Sequence, residues 1–416
     1  MKKISIIFLS FLICISTTVL FNVQNVHAAS GLKVHYIDVG SGDAIYLECD
    51  GVNMLIDGGY ISQSDRKEDE ASRGVLEHLV HNDSQNTVNE NDADFISQLR
   101  VILKENDNSD VTKYLDSLGV KHINYIVSTH PHYDHIGGLL HVINKYTYDH
   151  IYYNGHDYTT RYYRYFKMLA EDNVSSGKVR AALQIPQQND TFQLGSAKVT
   201  VLSDQTIDYT MANGTAINNG SIVLRVDYNK RSFLFTGDVQ YAAQKKIIET
   251  KGSSISNIDV LKVPHHGHTN SVYGNTGHSE NYELFAKVNP VISIVQCGIR
   301  NTSVSLPTNR VLKDLSMSDV YTTKNQGNIV IECDGTNIGI KLNNTNKQYK
   351  FTILGDVNGN NRIDAADYLM IKDSIMGKLK LSSLQLHHAD VNNNKRLDAA
   401  DYLKIKDFIM GKINKL

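Results

Sequence analysis

The chain has 416 residues, of which 41% are hydrophobic and 21% charged, with only 5 prolines. This composition excludes a disordered polymer, and the length suits about two domains. Lysine and arginine total 42, aspartate and glutamate 44, and the formal net charge of −2 excludes an overall positive field that would attract nucleic acid or acidic membranes. An anionic substrate would therefore have to be bound locally, and a metal ion is the obvious means.

The N-terminus has the pattern of an export signal. Lys2 and Lys3 precede an apolar run over 4–21, and residues 26–28 supply the small side chains expected before a cleavage site. We predict a signal peptide over 1–28 rather than a membrane anchor, because no basic flank follows the apolar run. The mature protein is then expected to be secreted, without stable membrane insertion.

The first part of the mature chain alternates between apolar and polar residues. This pattern predicts short antiparallel strands over 33–39, 44–49 and 53–56. A polar insertion over about 62–110 follows, for which we predict one or two short helices and no chemistry. Helical periodicity over 111–118 then leads to a strand of the buried type over 123–127.

Three cysteines remain after removal of the signal peptide, and their spacing matches no zinc or redox motif. They are Cys49, Cys297 and Cys333. Cys49 and Cys333 each end an alternating run before an Asp-Gly pair, which is typical of a hairpin turn. We interpret both as strand residues, with a disulfide between them as the alternative.

The strand over 123–127 ends in a histidine-rich motif. Its ligand-type residues are His130, His132, Asp134 and His135. Imidazole and carboxylate together suit zinc, iron or manganese rather than calcium, and this spacing lets two pairs of side chains point at two neighbouring metals. A chance histidine-rich loop is the alternative.

Ligand-type residues also follow three other predicted strands. Asp57 ends the strand over 54–56, Asp238 follows an apolar run over 232–235, and His265 and His266 follow the run over 259–263. A single carboxylate after a strand is more often a turn or helix cap than a ligand. Four such strand ends in one chain are hard to explain as caps, so we predict a shared metal site.

These motifs resemble the metallo-β-lactamase superfamily, and more closely its ComEC-like branch of competence proteins. The resemblance covers about 33–342, which we take as the catalytic domain, and includes the segments 36–44 and 219–224. It implies an α/β fold, a four-layer αββα sandwich of two mixed sheets with helices outside and metals at one edge. By this resemblance, the first metal is held by His130 and His132, the second by Asp134, His135 and either His265 or His266, and Asp238 bridges them.

The sequence departs from the wider superfamily at the third histidine expected on the first metal. His141, His150 and His156 are candidates by residue type. In ComEC-like proteins a stretch like 218–221 usually takes this place, so the first metal would have fewer protein ligands. His156 is then interpreted as a substrate-pocket or surface residue.

The predicted chemistry is hydrolysis assisted by two divalent transition metals, zinc first, with manganese or iron as alternatives. Such a metal pair activates water as the nucleophile and polarises the scissile ester. The candidate catalytic residues are Asp134, Asp57 and Lys262. Asp57 would orient a ligand histidine or accept a proton, and Lys262 would steady a phosphoryl oxygen or be a solvated strand residue.

The last part of the chain contains a twelve-residue pattern that begins at Asp356 and recurs 34 residues later at Asp390. Oxygen atoms at loop positions one, three, five, seven, nine and twelve are what Ca²⁺ binds, and position seven uses its main-chain carbonyl. The predicted ligands of two calcium ions are Asp356, Asn358, Asn360, Arg362, Asp364 and Asp367, then Asp390, Asn392, Asn394, Arg396, Asp398 and Asp401.

Each of these loops runs into a helix, but the first helix of an EF-hand is missing. This duplicated half-hand resembles a dockerin, over 350–416, and the alternative is an EF-hand sensor. The resemblance implies a small all-α domain of two loop–helix repeats that binds a cohesin domain of a scaffold in a cellulosome-like complex for polysaccharide catabolism. By this resemblance, the residues that determine which cohesin is bound lie at Ala365, Ala366, Ala399 and Ala400.

The combined prediction is a secreted two-metal phosphodiesterase attached to a cohesin. Its narrower alternatives are a nuclease for extracellular DNA and a phosphorylcholine esterase of cell-wall teichoic acid. A tyrosine-rich segment over 146–165 could stack on bases or enclose a choline. A non-catalytic binding module is the alternative of another class; the missing third histidine favours it, whereas Asp134 and Asp238 argue against it.

Overall fold

The computed structural model describes residues 31–40, 42–60, 93–179, 182–207, 216–269, 283–298, 305–316, 318–343, 345–350, 354–359, 362–381, 383–392, 394, 396–414 and 416. The predicted signal peptide and the calcium-ligand candidate Asn360 lie outside these residues, as does the polar insertion up to residue 92. In the part that is described, no helix has the length and apolar character needed to cross a membrane.

Sixteen strands in the described residues form two sheets. The nine-stranded sheet has the order β16-β15-β14-β1-β2-β3-β4-β5-β6 and the seven-stranded sheet the order β13-β12-β11-β10-β9-β8-β7. The strands of the larger sheet are β1 (Leu32–Tyr36), β2 (Ile45–Cys49), β3 (Val52–Ile56), β4 (His122–Ser128), β5 (Thr147–Tyr153), β6 (Leu183–Gln184), β14 (Ile329–Cys333), β15 (Ile338–Leu342) and β16 (Thr345–Lys350). Those of the smaller sheet are β7 (Thr191–Leu194), β8 (Ala197–Val201), β9 (Leu224–Tyr228), β10 (Arg231–Phe235), β11 (Val260–Lys262), β12 (Ile292–Val295) and β13 (Asp319–Thr322).

The described helices cover the outer faces of the sheets or belong to the C-terminal region. They are α1 (Ala93–Glu105), α2 (Asp110–Ser117), α3 (Tyr133–Lys145), α4 (Arg161–Ser175), α5 (Ala216–Asn219), α6 (Tyr241–Lys251), α7 (Glu283–Val288), α8 (Asn309–Asp314), α9 (Thr323–Gln326), α10 (Ala365–Ile375), α11 (Ser383–Ala389) and α12 (Ala399–Ile409), with a short 3₁₀ turn over Pro264–Gly267. The helix predicted over 111–118 is thus confirmed as α2.

Three apolar clusters account for the layers of the sandwich. The first lies between the two sheets and includes Tyr36, Phe233 and Phe235. The second lies between the nine-stranded sheet and α1 to α4, and the third between the seven-stranded sheet and α6 to α8. Strands covered on both faces are largely apolar, and β12 is buried at every position. The predicted four-layer αββα sandwich of mixed sheets is confirmed.

The disulfide alternative for Cys49 and Cys333 is wrong. Both thiols are buried and free, and each cysteine is the last residue of a strand, as interpreted from the sequence. Their strands, β2 and β14, pair with opposite edges of β1. Two strand spacings amount to roughly 9.5 Å, beyond the roughly 7 Å between Cα atoms that a disulfide can span.

The C-terminal region contains the two predicted loop–helix repeats, and its small all-α character is confirmed. Helices α10 and α12 pack together around Ile371 and Ile405, and the rings of Tyr368 and Tyr402 stack at 4.4 Å between centroids. The short helix α11 lies between the repeats and was not predicted. The boundaries 33–342 and 350–416 remain predictions; β16 continues the nine-stranded sheet as far as Lys350.

Candidate metal centre and calcium loops

The strand-end motifs of both sheets meet at one edge of the sandwich. The His130–His135 motif follows β4, which is parallel to β3, so Asp57 lies beside it. In the other sheet β10 and β11 are parallel, which brings Asp238 close to the histidine pair 265–266. The carboxyl ends of parallel neighbours open at the same edge, and this explains why residues far apart in sequence converge here.

One oxygen of Asp238 is the common point of the cluster. Oδ2 of Asp238 lies 3.2 Å from Nε2 of His135, 3.3 Å from Nε2 of His266 and 3.9 Å from Nε2 of His130. Nε2 of His130 also faces Nδ1 of His132 at 3.0 Å. His130 and His135 therefore face this carboxylate oxygen, and His132 lies beside His130.

The geometry separates the two histidines that the sequence left unresolved. His266 is buried, and its Nε2 lies 3.2 Å from Oδ2 of Asp134. His265 is 18% exposed and its Nε2 stands 3.9 Å from Oδ2 of Asp238. Both residues have left-handed φ angles, 48° and 54°, so the chain turns sharply and sends the two rings in different directions. His266 is the one that completes a group with Asp134 and His135.

Two buried groups fix the orientation of the imidazoles. Asp57 accepts a hydrogen bond from Nδ1 of His135 at 2.8 Å, and the main-chain N–H and hydroxyl of Thr129 donate to the same carboxylate, each at 2.7 Å. Nδ1 of His266 donates to the carbonyl of Gln296 at 3.0 Å. With Nδ1 engaged, the Nε2 lone pair of each ring is directed into the cluster, as in histidine ligands of metals.

Lys262 and Asp43 complete the buried shell. Lys262 is 0% exposed, so its interpretation as a solvated strand residue is wrong. Its ammonium contacts the carboxylate of Asp43 and lies 2.9 Å from the carbonyl of Gly237. Asp43 and Gln296 contact Lys262 and His266, and the sequence analysis did not select either residue. Gln296 follows β12, the parallel neighbour of β11, so the strand-end rule could have found it.

The electrostatics of the cluster fit divalent cations. Burial would raise the pKa of Asp238, but His135, His266 and Lys262 outweigh it and hold that pKa well below its usual range. Burial lowers the pKa of His130 well below its usual value, which keeps its Nε2 lone pair free for a metal. For His135, the carboxylates of Asp238, Asp57 and Asp134 overcome burial and raise the pKa well above normal. Imidazoles and carboxylates concentrated in this way are the donor set of zinc, iron or manganese.

The two calcium loops are built in the same way. In the first, Asp367 accepts hydrogen bonds at 2.9 Å from the main-chain N–H groups of Asn358 and Asp364, and in the second Asp401 accepts from the equivalent positions at 3.1 and 3.0 Å. Burial raises the pKa of both Asp367 and Asp401. The other described candidates for calcium ligands lie in the same two loops and are Asp356, Arg362, Asp390, Asn392, Asn394, Arg396 and Asp398. The candidates for cohesin contact are exposed in the first turns of α10 and α12, and they are Ala365, Ala366, Ala399 and Ala400.

Comparison with protein families agrees with this division of the chain. Residues 111–291 match the model described as a beta-lactamase superfamily domain, and residues 354–410 match the model described as a dockerin type I domain. The chain carries a metallo-β-lactamase fold domain followed by a dockerin. The lactamase fold implies divalent metals and the dockerin implies calcium.

One curated relative is ComE operon protein 3 of Bacillus subtilis (strain 168). It is 23% identical over 222 residues, which are 53% of this chain and 25% of the relative. The match therefore spans about a quarter of that protein's length.

The chain is also similar to solved structures, at lower sequence identity. The metallo-beta-lactamase fold protein YhfI from Bacillus subtilis has 13% identity and a TM-score of 0.40, and the match covers 72% of this chain and 98% of that one. A diphosphatase from the PhnP family has 13% identity and a TM-score of 0.36, with 73% and 98% covered.

The three histidines considered as a further ligand lie in different parts of the lactamase domain. Nδ1 of His141 lies 3.0 Å from the carbonyl of Leu103, on the helical side of the sheet. His150 stacks on Tyr125 at 5.1 Å between centroids, beside the middle of β4 and before the motif that follows its end. His156 packs so closely on Gly220 that a Cβ there would stand 2.9 Å from its ring.

The stretch 218–221 adjoins the first metal's candidate ligands. The hydroxyl of Ser221 lies 3.3 Å from Nδ1 of His130 and accepts a hydrogen bond from the main-chain N–H of Asp238 at 3.1 Å. Asn218 makes a side-chain hydrogen bond that raises the pKa of His132, although burial, the larger effect, lowers it overall. This stretch thus occupies the place beside His130 and His132.

The tyrosine-rich segment divides between the core and the site. Tyr146, Tyr148 and Tyr165 are buried in the helical layer, and the buried Tyr163 donates a hydrogen bond to the carbonyl of His156 at 2.6 Å. Tyr158 lies edge-on to His132 at 5.9 Å between ring centroids, and Tyr162 packs on Tyr133 at 4.2 Å. Aromatic side chains therefore border the metal-binding motif, but fewer of them than the sequence suggested.

Proposed function

We propose that the protein is a secreted, two-metal phosphodiesterase attached through its dockerin to a cohesin outside the cell. The observation that carries the proposal is the position of Oδ2 of Asp238, within 3.9 Å of ring nitrogens of four histidines. A carboxylate oxygen surrounded by imidazoles from two sheets is the arrangement expected of a bridging ligand. The dockerin is the support for attachment and for an extracellular location.

In this proposal each group of side chains has a distinct part. His130 and His132 would hold one metal, and Asp134, His135 and His266 the other. Two divalent metals bound side by side supply an activated water and polarise the bond to be cleaved. Asp57 holds His135 in the orientation that a metal requires, and no side-chain nucleophile is needed.

A phosphodiester suits the surroundings of the site. The first metal would have two histidines and no third, so it would keep coordination positions for substrate oxygens, which a phosphodiester offers in pairs. Tyr158, half-buried beside His132, could pack on the alcohol portion of the substrate. We favour a small phosphodiester over long DNA, because the chain's net charge of −2 offers no general attraction to a polyanion.

The experiment is metal analysis of the purified mature protein together with hydrolysis of bis(p-nitrophenyl) phosphate. We expect two transition-metal ions per chain in addition to calcium, and turnover that a chelator removes. DNA and a phosphorylcholine ester are then compared at several salt concentrations. Turnover of DNA with a steep salt dependence and no activity on the choline ester would replace the proposal with a nuclease, and two bound metals without turnover of any ester would favour a binding module.

A further inference from the structure

We infer that Lys262 is a positioning residue of the metal centre rather than a group that touches substrate. Its ammonium holds one oxygen of Asp238 so that the other oxygen is presented to the metals. This inference rests on the metal-bridging part given to Asp238 in the proposed function.

The surroundings of Lys262 leave no path to a substrate. The side chain is 0% exposed, at the end of β11. Its three N–H bonds have three acceptors: the carbonyl of Gly237 at 2.9 Å, Oδ1 of Asp238 at 3.5 Å and the carboxylate of Asp43. An ammonium whose protons are all directed at buried oxygens has none left for a phosphoryl group.

The two oxygens of Asp238 face different partners. Oδ1 faces Lys262, whereas Oδ2 faces the histidines, with His135 and His266 at 3.2 and 3.3 Å. Rotation of the carboxylate about its Cβ–Cγ bond would exchange the two oxygens or present both to one metal. The attraction between the ammonium and Oδ1 opposes this rotation, so a single oxygen remains at the common point of the cluster.

Lys262 also fixes the main chain that carries Asp238. Gly237, which precedes Asp238, has a left-handed φ of 49° and gives its carbonyl to Lys262. On the other side, the N–H of Asp238 donates to the hydroxyl of Ser221 at 3.1 Å. The turn is therefore held from both sides, and neither Lys262 nor Ser221 needs to contact a metal to affect its binding.

Asp43 explains how an ammonium is kept at this buried position. Its carboxylate contacts Lys262 on one side and lies 3.3 Å from Nδ1 of His266 on the other. A buried charge is tolerated only when it is paired and hydrogen-bonded, and Asp43 with Asp238 supplies the opposite charges. The lysine also offsets part of the repulsion among the carboxylates when no metal is bound.

The test is metal affinity, measured by competition with a chromophoric chelator on the full chain, for Lys262→Met and Lys262→Gln. Removal of a residue that orients a ligand is expected to weaken metal binding about 10- to 100-fold. Met keeps the length without a donor, and Gln keeps a donor without the charge, so we expect Gln to bind metal more tightly than Met. The visible spectrum of the cobalt-substituted protein should change in Met, because one ligand changes its mode of binding.

Lys145→Met is the control, since this lysine pairs with Asp107 and Asp116 on the surface and is 38% exposed. It should leave affinity and spectrum unchanged. Unchanged affinity and spectrum in both Lys262 variants would overturn the inference while leaving the metal site in place. If Lys262→Met does not fold, Lys262→Gln decides: wild-type affinity and spectrum would refute the inference. A wild-type protein that binds no transition metal would instead refute the proposed function.

Discussion

Replacement of Asp57 by asparagine tests how strongly the metal centre depends on a residue that binds no metal. Asp57 is fully buried and accepts three hydrogen bonds, from the main-chain N–H of Thr129, from the hydroxyl of Thr129 and from Nδ1 of His135. All of these donors lie within 2.8 Å of a carboxylate oxygen. Asparagine has the same shape, so the change isolates the loss of an acceptor and of a charge.

The expected magnitude follows from these contacts. Asparagine turns one accepting oxygen into a donor, so whichever way the amide is placed, an N–H of Thr129 or of His135 faces another donor. A buried donor without an acceptor costs about 1–3 kcal/mol. His135 can avoid this cost by moving its proton from Nδ1 to Nε2, but Nε2 is the atom that points at Asp238. We therefore expect metal affinity to fall about 10- to 100-fold.

Two measurements check this prediction. Denaturant unfolding of the metal-free protein should show a free energy of unfolding lower by about 1–3 kcal/mol, and chelator competition should show the loss of affinity. Asp334→Asn is a matched control, because Asp334 accepts main-chain hydrogen bonds from Thr336 and Asn337 in an exposed turn. Wild-type stability and wild-type metal affinity in Asp57→Asn would refute the proposal that Asp57 orients His135.

Four further predictions concern the two sites. Asp238→Ala should abolish most turnover while circular dichroism stays native, because it removes a ligand and Asp43 still pairs with the buried Lys262; full turnover would contradict the bridging assignment. His156→Ala should keep two transition metals per chain and change substrate affinity, whereas loss of one metal would make His156 the third ligand. In a calcium chelator the dockerin should lose its helical circular dichroism and its binding to a cohesin. In calorimetric titration, Asp356→Ala or Asp390→Ala alone should weaken cohesin binding less than the double substitution does. Cohesin binding that a chelator does not affect would exclude a dockerin. Truncation after Lys350 should leave ester hydrolysis intact, and its loss would show that the dockerin contributes to the site.

The grouping of the candidate ligands could be predicted because they follow a simple topological rule. Parallel neighbours end at the same edge of a sheet, so ligand-type residues after β3 and β4 lie together, as do those after β10 and β11. The rule was applied only to histidine and aspartate, which is why Gln296 after β12 was missed. Asp43 was missed for another reason: it precedes β2 instead of ending a strand, and only folding brings it to Lys262.

Burial was harder to predict than position. Lysine is almost never fully buried unless it is paired, so Lys262 was expected to be solvated or to reach a substrate. Its pairing with Asp43 depends on a contact between a residue of one sheet and a loop next to the other, which sequence spacing does not reveal. The same limit applies to the tyrosines over 146–165, where Tyr148 is buried in the core but Tyr158 is only half-buried beside His132.

The buried Lys262 helps to explain how the proposed first metal could be bound without a third histidine. Each histidine removed from a metal site weakens binding, and the remaining ligands must then be held more rigidly to compensate. Among the ligands proposed for the first metal, Lys262 holds the bridging Asp238, and the hydroxyl of Ser221 lies 3.3 Å from Nδ1 of His130. Ligands fixed in advance lose less conformational freedom when the metal binds, so affinity can be kept with fewer of them. The coordination positions left open on the first metal would then be available for the oxygens of a phosphodiester, which joins the missing histidine to the proposed activity.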